Sequence, residues 1–408
     1  MFSESTLAKR MQHVQYAIRE LFPVAERIEK AGGRIAKVNI GDPVPYFGTP
    51  KYILEALERA AREGRTGYGR SPGERFFLEA IARRHKRLYG VDVDPDNIFV
   101  TQGVSEAIQF LDSCLLEKGK GCVMFSPYYP AYIPQLHLFD GACYFAGCVE
   151  EKGWAPNIDD AERQISKAKA DGIDLKYIHL INPCNPTGSV WKRKDLEEIA
   201  RVARENDLLL VSDEIYDEIV FEGDFVSMAE VAKDQPLVIL NGLSKNWCAT
   251  GLRIGWIILS GEGEGVRRLH DGLTRIGTVR LCPSMQAQYA GAEALDNVKA
   301  HNEFLSAFNA EVKKRSDYCW KRLNEIEGVS CQRASGAFYL FPRIDLKRSG
   351  CKTSAEFVRK LLEKEKVWAV QGSGFGSEGH LRIVTLPTID VLEEACAGIE
   401  RMMKAQSS

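Results

Sequence analysis

A lysine and an arginine stand eight positions apart in a loop of small and polar residues that joins two apolar runs. Lys245 follows the run at residues 236–240, and Arg253 precedes the run at residues 254–259. A lysine held between buried strands can have a depressed pKa and form a Schiff base with a carbonyl group. An arginine nearby can bind a phosphate as a forked donor. Alone, the pair is equally compatible with a surface loop that carries two solvated cations.

Apolar runs alternate with helical patterns between residues 97 and 259. The predicted strands cover residues 98–100, 123–125, 143–146, 177–181, 208–211, 238–240 and 254–259, and the helices cover residues 104–117, 130–139, 158–168, 193–205 and 227–232. This alternation predicts a mostly parallel sheet with helices on both faces. Ligands of such sheets bind at the carboxyl ends of the strands.

Polar clusters follow five of these strands at the point where each strand ends. They cover residues 101–105, 126–130, 182–188, 212–216 and 241–255. Gly103, Val104 and Ser105 open a helix, whose first backbone N–H groups and dipole attract a phosphate. Arg253 adds a charged fork for the same phosphate. These clusters predict an anion site at the carboxyl edge of the sheet.

The other clusters carry groups that fit a flat, charged ring. Tyr129 can stack on such a ring, and Asn185 and Tyr216 can each donate a hydrogen bond to an oxygen on it. Asp213, at the end of a buried strand, can hold a protonated ring nitrogen. Lys245 can form an imine with an aldehyde. Phosphate, flat ring, phenolic oxygen, ring nitrogen and aldehyde together describe pyridoxal 5'-phosphate (PLP), whose ring acts as an electron sink.

The two ends of the chain show other patterns. Residues 6–31 are predicted to be mostly helical, with Pro23 kinking or splitting the helix and with Tyr16 and Arg19 on one face. After residue 290, helical and strand patterns alternate with an antiparallel character, which indicates a smaller α+β domain. Its predicted helices cover residues 291–326, 353–365 and 388–404, and its strands cover residues 329–332, 337–341, 367–370 and 380–384.

Several motifs together resemble those of fold-type I PLP-dependent enzymes in the class I and II aminotransferase family. They are Asn182-Pro-x-Asn185-Pro-Thr-Gly, Asp213-Glu-Ile-Tyr216, Ser244-Lys245 with Arg253 eight residues on, and Arg382. The resemblance covers nearly the whole chain. It implies an α/β fold, with a large domain built on a mostly parallel sheet and a smaller α+β domain. We place an N-terminal segment that packs with the small domain at residues 1–47, the large PLP-binding domain at 48–290 and the small domain at 291–408.

The resemblance implies a role for each matching residue. Lys245 carries the cofactor as a Schiff base and shuttles the proton, and Asp213 keeps the pyridine nitrogen protonated. Tyr216 and Asn185 bind the phenolic oxygen. The other implied ligands are Tyr129, stacked on the ring; Gly103, Val104, Ser105 and Arg253, on the phosphate; and Arg382, which clamps the substrate α-carboxylate with Gly41 and Asn185 beside it.

Two further positions are candidates for binding the cofactor's phosphate. Many relatives carry a serine three positions before the lysine, where this chain has Gly242, so Ser244 is the candidate to replace it. Tyr68 resembles the family's tyrosine that reaches the phosphate of the partner subunit. This implies a homodimer with shared active sites.

A set of shorter motifs resembles the alanine aminotransferase branch found in prokaryotes. It comprises residues 16–19, 39–42, 241–245, 279–283 and 372–376. The resemblance implies that alanine is the amino donor and 2-oxoglutarate the acceptor in a ping-pong reaction. Under this interpretation Tyr16 and Arg19 close over the substrate and help to bind the distal carboxylate of glutamate.

Other functions stay open at the level of the sequence. An aspartate or aromatic aminotransferase would use the same residues. Trp247 and Trp256 could line an aromatic pocket, although packing in the core is the favoured interpretation for both. A carbon–sulfur β-lyase could be built on the same scaffold. A PLP-sensing transcription regulator would need an added DNA-binding domain. The formal net charge of −2 and the absence of a helix-turn-helix pattern disfavour that regulator.

Composition indicates where such a protein works. No window approaches the roughly 18 uninterrupted apolar residues of a membrane span, and residues 1–5 do not resemble a secretory signal. The 11 cysteines include no Cys-x-x-Cys pair, which predicts reduced thiols and no metal site. We therefore expect a cytoplasmic enzyme that acts on small molecules and binds neither membranes nor nucleic acids.

Overall fold

A computed structural model describes residues 7–14 and 16–404 of the protein. The predictions made for residues 1–6, 15 and 405–408 lie outside these described residues. Within them, the strands are β1 (Ala36–Lys37), β2 (Ile98–Thr101), β3 (Lys120–Ser126), β4 (Ala142–Val149), β5 (Ala155–Pro156), β6 (Asp174–Ile181), β7 (Leu209–Asp213), β8 (Leu237–Gly242), β9 (Gly255–Ser260), β10 (Val329–Ser330), β11 (Tyr339–Leu340), β12 (Arg343–Ile344), β13 (Val367–Trp368), β14 (Val370–Gln371) and β15 (Leu381–Val384).

The α-helices match most of the predicted helical segments. They are α1 (Phe22–Lys30), α2 (Val44–Phe47), α3 (Lys51–Arg62), α4 (Arg75–Tyr89), α5 (Val104–Leu115), α6 (Tyr132–Leu138), α7 (Ile158–Ala170), α8 (Arg193–Glu205), α9 (Met228–Val231), α10 (Glu264–Arg280), α11 (Met285–Asp296), α12 (Val298–Asn324), α13 (Leu346–Ser349), α14 (Ser354–Glu365) and α15 (Ile389–Lys404). Helix α10 has no counterpart among the sequence predictions. No helix in the described ranges is long and apolar enough to cross a membrane.

The central sheet has the strand order β2-β9-β8-β7-β6-β3-β4-β5. Strands β8, β7, β6, β3 and β4 pair in parallel, which confirms the predicted mostly parallel sheet. Strand β9 runs antiparallel to both of its neighbours. It does so because residues 243–254, the lysine loop, join β8 to β9 without the crossover helix that parallel strands need. The loop therefore lies at the same edge as the ends of β2 and β7.

Both faces of the central sheet are covered by apolar side chains. Along β9, Trp256 and Ile258 point into one hydrophobic cluster, whereas Ile257 and Leu259 point into the other. This alternation follows from the two-residue period of a strand. A strand buried on both faces carries an almost continuous apolar sequence, which is why residues 254–259 were recognisable as a strand.

The N-terminal part of the chain shares a core with the C-terminal part. Strand β1 pairs in parallel with β13, and Leu21 and Val24 belong to the same apolar cluster as Phe357 and Trp368. Helix α11 instead packs against α3 and α4. The proposed limit between residues 290 and 291 falls inside α11, and the domain limits stay a prediction.

The predicted N-terminal helix is wrong in its first half. Residues Lys9–His13 and Ala17–Arg19 form short 3-10 turns, and the first α-helix begins only at Phe22. Pro23 lies in the first turn of that helix, where its missing N–H group is not needed. Tyr16 has extended backbone angles (φ −131°, ψ 98°), so it does not share a helix face with Arg19.

Candidate active site

A cavity of about 500 Å³ opens at the carboxyl edge of the central sheet. Most of the site residues predicted from the sequence line it: Tyr16, Arg19, Gly41, Val104, Ser105, Tyr129, Asn185, Asp213, Tyr216, Ser244, Lys245, Arg253 and Arg382. These residues come from the N-terminal segment, from the strand ends of the sheet and from β15 near the C-terminus. The fold thus brings together side chains that are more than 360 positions apart in sequence.

Lys245 lies in the lysine loop with its amine directed into the cavity. Its Nζ donates a hydrogen bond to the carbonyl oxygen of Gly41 at 2.7 Å. Burial lowers the pKa of this amine to about 8; Asp42 opposes the shift, whereas Arg382 and Arg253 add to it. A lysine with such a pKa has a sizeable neutral fraction near neutral pH, as a nucleophile and a proton carrier require.

Buried polar groups anchor the lysine loop from behind. Asn241 precedes the loop and donates to Asp217 Oδ2 at 2.8 Å, while Asn246 inside the loop donates to Asp217 Oδ1. Arg84 donates to the same carboxylate at 2.8 Å, and both of its ion-pair partners, Asp217 and Glu218, are nearly inaccessible to solvent. The backbone that carries Lys245 is therefore tied to α4 and to the segment after β7.

Asp213 ends β7 and is buried at the floor of the cavity. Its Oδ2 accepts a hydrogen bond from the Tyr132 hydroxyl at 2.7 Å, and its Oδ1 accepts one from the Ile215 backbone N–H at 3.1 Å. Burial raises the pKa of this carboxyl to about 6, against the effect of those hydrogen bonds and of Lys245. A cationic partner such as a protonated ring nitrogen would compensate for the buried charge.

Three residues predicted to contact the ring have polar partners inside the cavity. The Tyr216 hydroxyl lies 2.8 Å from the Tyr339 hydroxyl. The Tyr129 hydroxyl lies 2.9 Å from the Tyr16 hydroxyl, which links the N-terminal segment to the wall of the site. Asn185 accepts a hydrogen bond from Arg382, as described below. Each contact fixes the side chain at the cavity surface in one orientation.

The N-terminus of α5 and Arg253 form a cationic end of the cavity. Gly103 caps the helix with φ +75°, and a Cβ added there would lie 2.5 Å from Arg253 Nη2. The same guanidinium donates to the carbonyl oxygens of Thr250 at 3.0 Å and Gln102 at 3.1 Å. Helix N–H groups and a fixed arginine together suit a phosphate.

The glycine at position 242 has no room for a side chain. A Cβ there would lie 2.6 Å from the Ile254 carbonyl oxygen and 2.8 Å from Gly255 Cα. Ser244, two positions later, lines the cavity. The structure therefore gives a steric reason for Gly242 and places Ser244 where it can act in place of a serine at that position.

Arg382 on β15 is almost fully buried. Its guanidinium carbon lies 4.8 Å from the ring centre of Tyr339 and 5.0 Å from that of Phe375. Nη1 donates to Asn185 Oδ1 at 3.2 Å, and Nη2 donates to the carbonyl oxygen of Asn39. Two aromatic rings and two acceptors hold the planar fork in place, which suits bidentate binding of a carboxylate.

Two predicted residues do not line the cavity, and nine of the residues that do line it, Tyr339 among them, were not predicted as site residues. Gly103 lies just behind the lining, against Arg253. Tyr68 lies away from it, and 87% of its surface is exposed. Tyr339 is buried at the cavity wall. The sequence predicts it only as part of a strand at residues 337–341. Its sequence neighbours are apolar, so no local pattern marked it.

Known proteins resemble this chain in sequence and in structure. Residues 36–399 match the family described as "Aminotransferase class I and II". The chain belongs to this aminotransferase family. The glutamate-pyruvate aminotransferase AlaA of Haemophilus influenzae is 34% identical over 399 residues, which is 97% of either chain. An alanine aminotransferase of Mycobacterium tuberculosis is also 34% identical over 399 residues, covering 96% of this chain and 90% of the relative.

Solved aminotransferase structures share the fold. The alanine aminotransferase from Pyrococcus furiosus superimposes with a TM-score of 0.93 at 38% identity and covers 98% of this chain and 100% of its own. The aspartate aminotransferase of Thermus thermophilus with maleate gives a TM-score of 0.88 at 28% identity and covers the same shares. The protein is thus an aminotransferase of the PLP-dependent, fold-type I class.

Proposed function

We propose that this aminotransferase carries PLP on Lys245 and moves an amino group between alanine and 2-oxoglutarate by a ping-pong mechanism. The observation that carries the proposal is the arrangement of Lys245 and Arg382 around one cavity, with Arg19 at the same cavity. The names of the relatives support the choice of substrate. The alanine aminotransferase of Pyrococcus furiosus is 38% identical, whereas the aspartate aminotransferase of Thermus thermophilus is 28% identical.

The residues present fit PLP. Asp213, at the floor of the cavity, is a buried carboxyl with a raised pKa, and it suits a pyridine nitrogen that carries a proton. The cationic end at Arg253 and α5 suits the phosphate. Tyr216 and Asn185 offer groups for the phenolic oxygen, and Lys245 offers the amine. When bound, PLP supplies an electron sink for the substrate's α-carbon.

The chain's own groups bind and orient the amino acid. Arg382 binds the α-carboxylate with its forked donors, and Asn185 beside it fixes the orientation. With PLP bound, the neutral amine of Lys245 would accept the substrate's α-proton on Nζ and would then be able to donate it again. Tyr16 and Arg19 line the cavity, and Arg19 binds the distal carboxylate of glutamate or 2-oxoglutarate.

The structure disfavours one alternative for the substrate. Trp247 and Trp256 are buried in the core and do not line the cavity. The indole N–H of Trp247 donates to the carbonyl oxygen of Ala294 at 3.0 Å, behind the lysine loop. The favoured interpretation of these tryptophans as core residues agrees with this packing, and neither residue can contribute to an aromatic substrate pocket from there.

A half-reaction measurement tests the proposal. The purified protein is loaded with PLP, and alanine, glutamate, aspartate and phenylalanine are added separately while the cofactor's absorbance is followed. We expect fast conversion to the aminated cofactor with alanine and glutamate and little with the others. Conversion with aspartate or phenylalanine instead would overturn the substrate. Release of pyruvate and ammonia from a cysteine-like substrate without an acceptor would point to a β-lyase.

The homodimer belongs to the same proposal. Tyr68 is 87% exposed and Val279 is 80% exposed. The backbone N–H of Gly69 donates to Cys282 Sγ at 3.4 Å, which brings the Tyr68 loop beside the exposed Leu281. Apolar side chains gathered on a surface in this way suit a protein partner, and we assign a second copy of this chain, with Tyr68 reaching the partner's phosphate site.

Complementation between inactive subunits tests the shared site. Tyr68→Ala and Lys245→Ala are each expected to lose most activity alone. In a mixed dimer, one site contains both substitutions and the other contains neither, so co-expression should restore activity. No recovery in mixed dimers that are confirmed by mass would show that Tyr68 does not act across the subunits. A monomer in sedimentation analysis would remove the dimer as well.

A further inference from the structure

We propose that Tyr339 is a positioning residue that couples the substrate-binding Arg382 to the cofactor-binding Tyr216. The inference rests on the proposed function, because Arg382 and Tyr216 have these roles only there. Nothing in the chain's local sequence assigns a role to Tyr339. Its place between the two groups follows from the tertiary structure alone.

Tyr339 makes three contacts from one buried position on β11. Its hydroxyl lies 2.8 Å from the hydroxyl of Tyr216. The face of its ring lies 4.8 Å from the guanidinium carbon of Arg382. A Cβ added to Gly41 would overlap the same hydroxyl, and the Gly41 carbonyl oxygen accepts the hydrogen bond from Lys245. One tyrosine therefore touches the carboxylate clamp, the ring-oxygen ligand and the segment that holds the reactive lysine.

The chemistry of the two hydroxyls sets the direction of their hydrogen bond. In the proposed function, the proton of Tyr216 points to the cofactor's ring oxygen. Tyr339 must then donate to Tyr216. Burial raises the pKa of Tyr339 to about 12, with Arg382 opposing the rise, so Tyr339 keeps its proton at neutral pH and remains a donor. A hydroxyl that accepts one hydrogen bond is a better donor of the next.

The two halves of Tyr339 have separable effects. The hydroxyl strengthens the donation of Tyr216 to the ring oxygen. The ring face contributes to the position and the charge environment of Arg382, since a guanidinium over a tyrosine ring is attracted to it. Loss of the hydroxyl alone should therefore change the cofactor, and loss of the ring should also change the binding of the substrate carboxylate.

Tyr339→Phe removes the hydroxyl and keeps the ring. A hydrogen bond donated to the ring oxygen stabilises the form of the lysine–PLP linkage that has lost its proton, and so it lowers the pKa of that linkage. A weaker donor should therefore raise the pH midpoint of the visible absorbance change of the PLP-loaded enzyme, by about 0.5 to 1 pH unit. The KM for alanine should change less than about twofold, because the contact between ring and Arg382 remains.

Tyr339→Leu removes both parts. We expect the same upward shift of the midpoint and, in addition, a rise in the KM for alanine of about threefold or more. Tyr318→Phe is the matched control. It removes a hydroxyl that donates to Glu393 of α15 at 2.7 Å, and neither residue lines the cavity. It should leave both the midpoint and the KM unchanged.

A double-mutant cycle separates positioning from a general packing effect. If Tyr339 acts through Tyr216, then Tyr339→Phe adds no further shift in a Tyr216→Phe background. Additive shifts overturn the proposal. An unchanged midpoint in a Tyr339→Phe protein that keeps its melting temperature and its bound PLP also overturns it. If Tyr339→Phe does not fold, Gly41→Ala can be used instead, because its Cβ displaces the same hydroxyl. An unchanged midpoint in Gly41→Ala would also overturn the proposal.

Failure of the proposed function has a different signature. It would remove the visible absorbance of the PLP-loaded wild-type protein, or its response to amino acids. Failure of the inference about Tyr339 leaves both intact and affects only the variants.

Discussion

The amine of Lys245 donates to the carbonyl oxygen of Gly41, which lies 204 positions earlier in the chain. The contact joins the lysine loop of the large sheet to the N-terminal segment. Because the amine is buried at this contact, its pKa is lowered to about 8. The position of the Lys245 amine and its protonation state therefore depend on the same packing.

The rate at which the apoenzyme reacts with PLP should follow the titration of Lys245. The neutral amine is the nucleophile, so the rate should rise with pH and level off just above pH 8. A lysine with an ordinary pKa would show a rate that still rises beyond pH 9, up to about 10.4. Stopped-flow absorbance measures this rate, and Lys245→Arg, which keeps a cation but cannot form the linkage, should show no such phase.

Arg19→Ala should weaken the reaction with glutamate and 2-oxoglutarate far more than the reaction with alanine. Arg19 lines the cavity and can pair with a distal carboxylate, which alanine lacks. We expect kcat/KM for glutamate to fall by about tenfold or more, as the loss of a charge-assisted hydrogen bond predicts. Arg10→Ala is the control, since Arg10 lies in the same segment but donates to the Leu138 carbonyl oxygen. Equal losses for both substrates would remove the assigned role of Arg19.

Ser244→Ala should weaken the binding of PLP without unfolding the protein. Ser244 is the serine of the lysine loop that lines the cavity, and losing one charge-assisted hydrogen bond to a phosphate should lower affinity by about tenfold. Gly242→Ser in the Ser244→Ala background should not restore it, because the new Cβ meets the Ile254 carbonyl oxygen. Equilibrium dialysis of PLP measures both. Restored affinity in the double variant would show that position 242 can supply the phosphate ligand.

Two adjacent arginines should differ sharply in their effect on stability. Arg84→Met leaves the buried carboxylates of Asp217 and Glu218 without their cation, which should lower the free energy of unfolding by about 3–5 kcal/mol. Arg83→Met breaks an exposed pair with Asp296 and should cost less than about 1 kcal/mol. Urea unfolding measures both variants. Similar losses in the two would mean that the buried network does not anchor the lysine loop.

Much of the architecture could be read from the sequence because it depends on local patterns. Strands buried on both faces need continuous apolar runs, so seven of the eight strands of the central sheet were recognisable, and the two-residue strand β5 was not. Residues that follow parallel strands meet at one edge, so polar clusters around Asn185, Asp213 and Lys245 could be assigned to one site before their distances were known. Their roles as ligands and catalysts stay predictions.

The N-terminal segment shows where local patterns fail. Its apolar spacing resembles a helix, but the residues before Phe22 form 3-10 turns and an extended stretch at Tyr16. Ile18 packs beside Phe341 and Phe375, from a distant part of the chain, and the Tyr16 hydroxyl bonds to Tyr129. These tertiary contacts outweigh a weak helical propensity.

The sequence by itself determined most of the sheet, the strand-end clusters and the place of the candidate lysine between two strands, since each is encoded within a few consecutive residues. Only the tertiary structure decided that β9 pairs with β2, that Arg84 and Asp217 anchor the lysine loop, and that Tyr339 lies between Arg382 and Tyr216. Those features join positions far apart in the chain. Their free energies come from burial and from hydrogen bonds that form only when separate segments pack together, and no local spacing of residues records them.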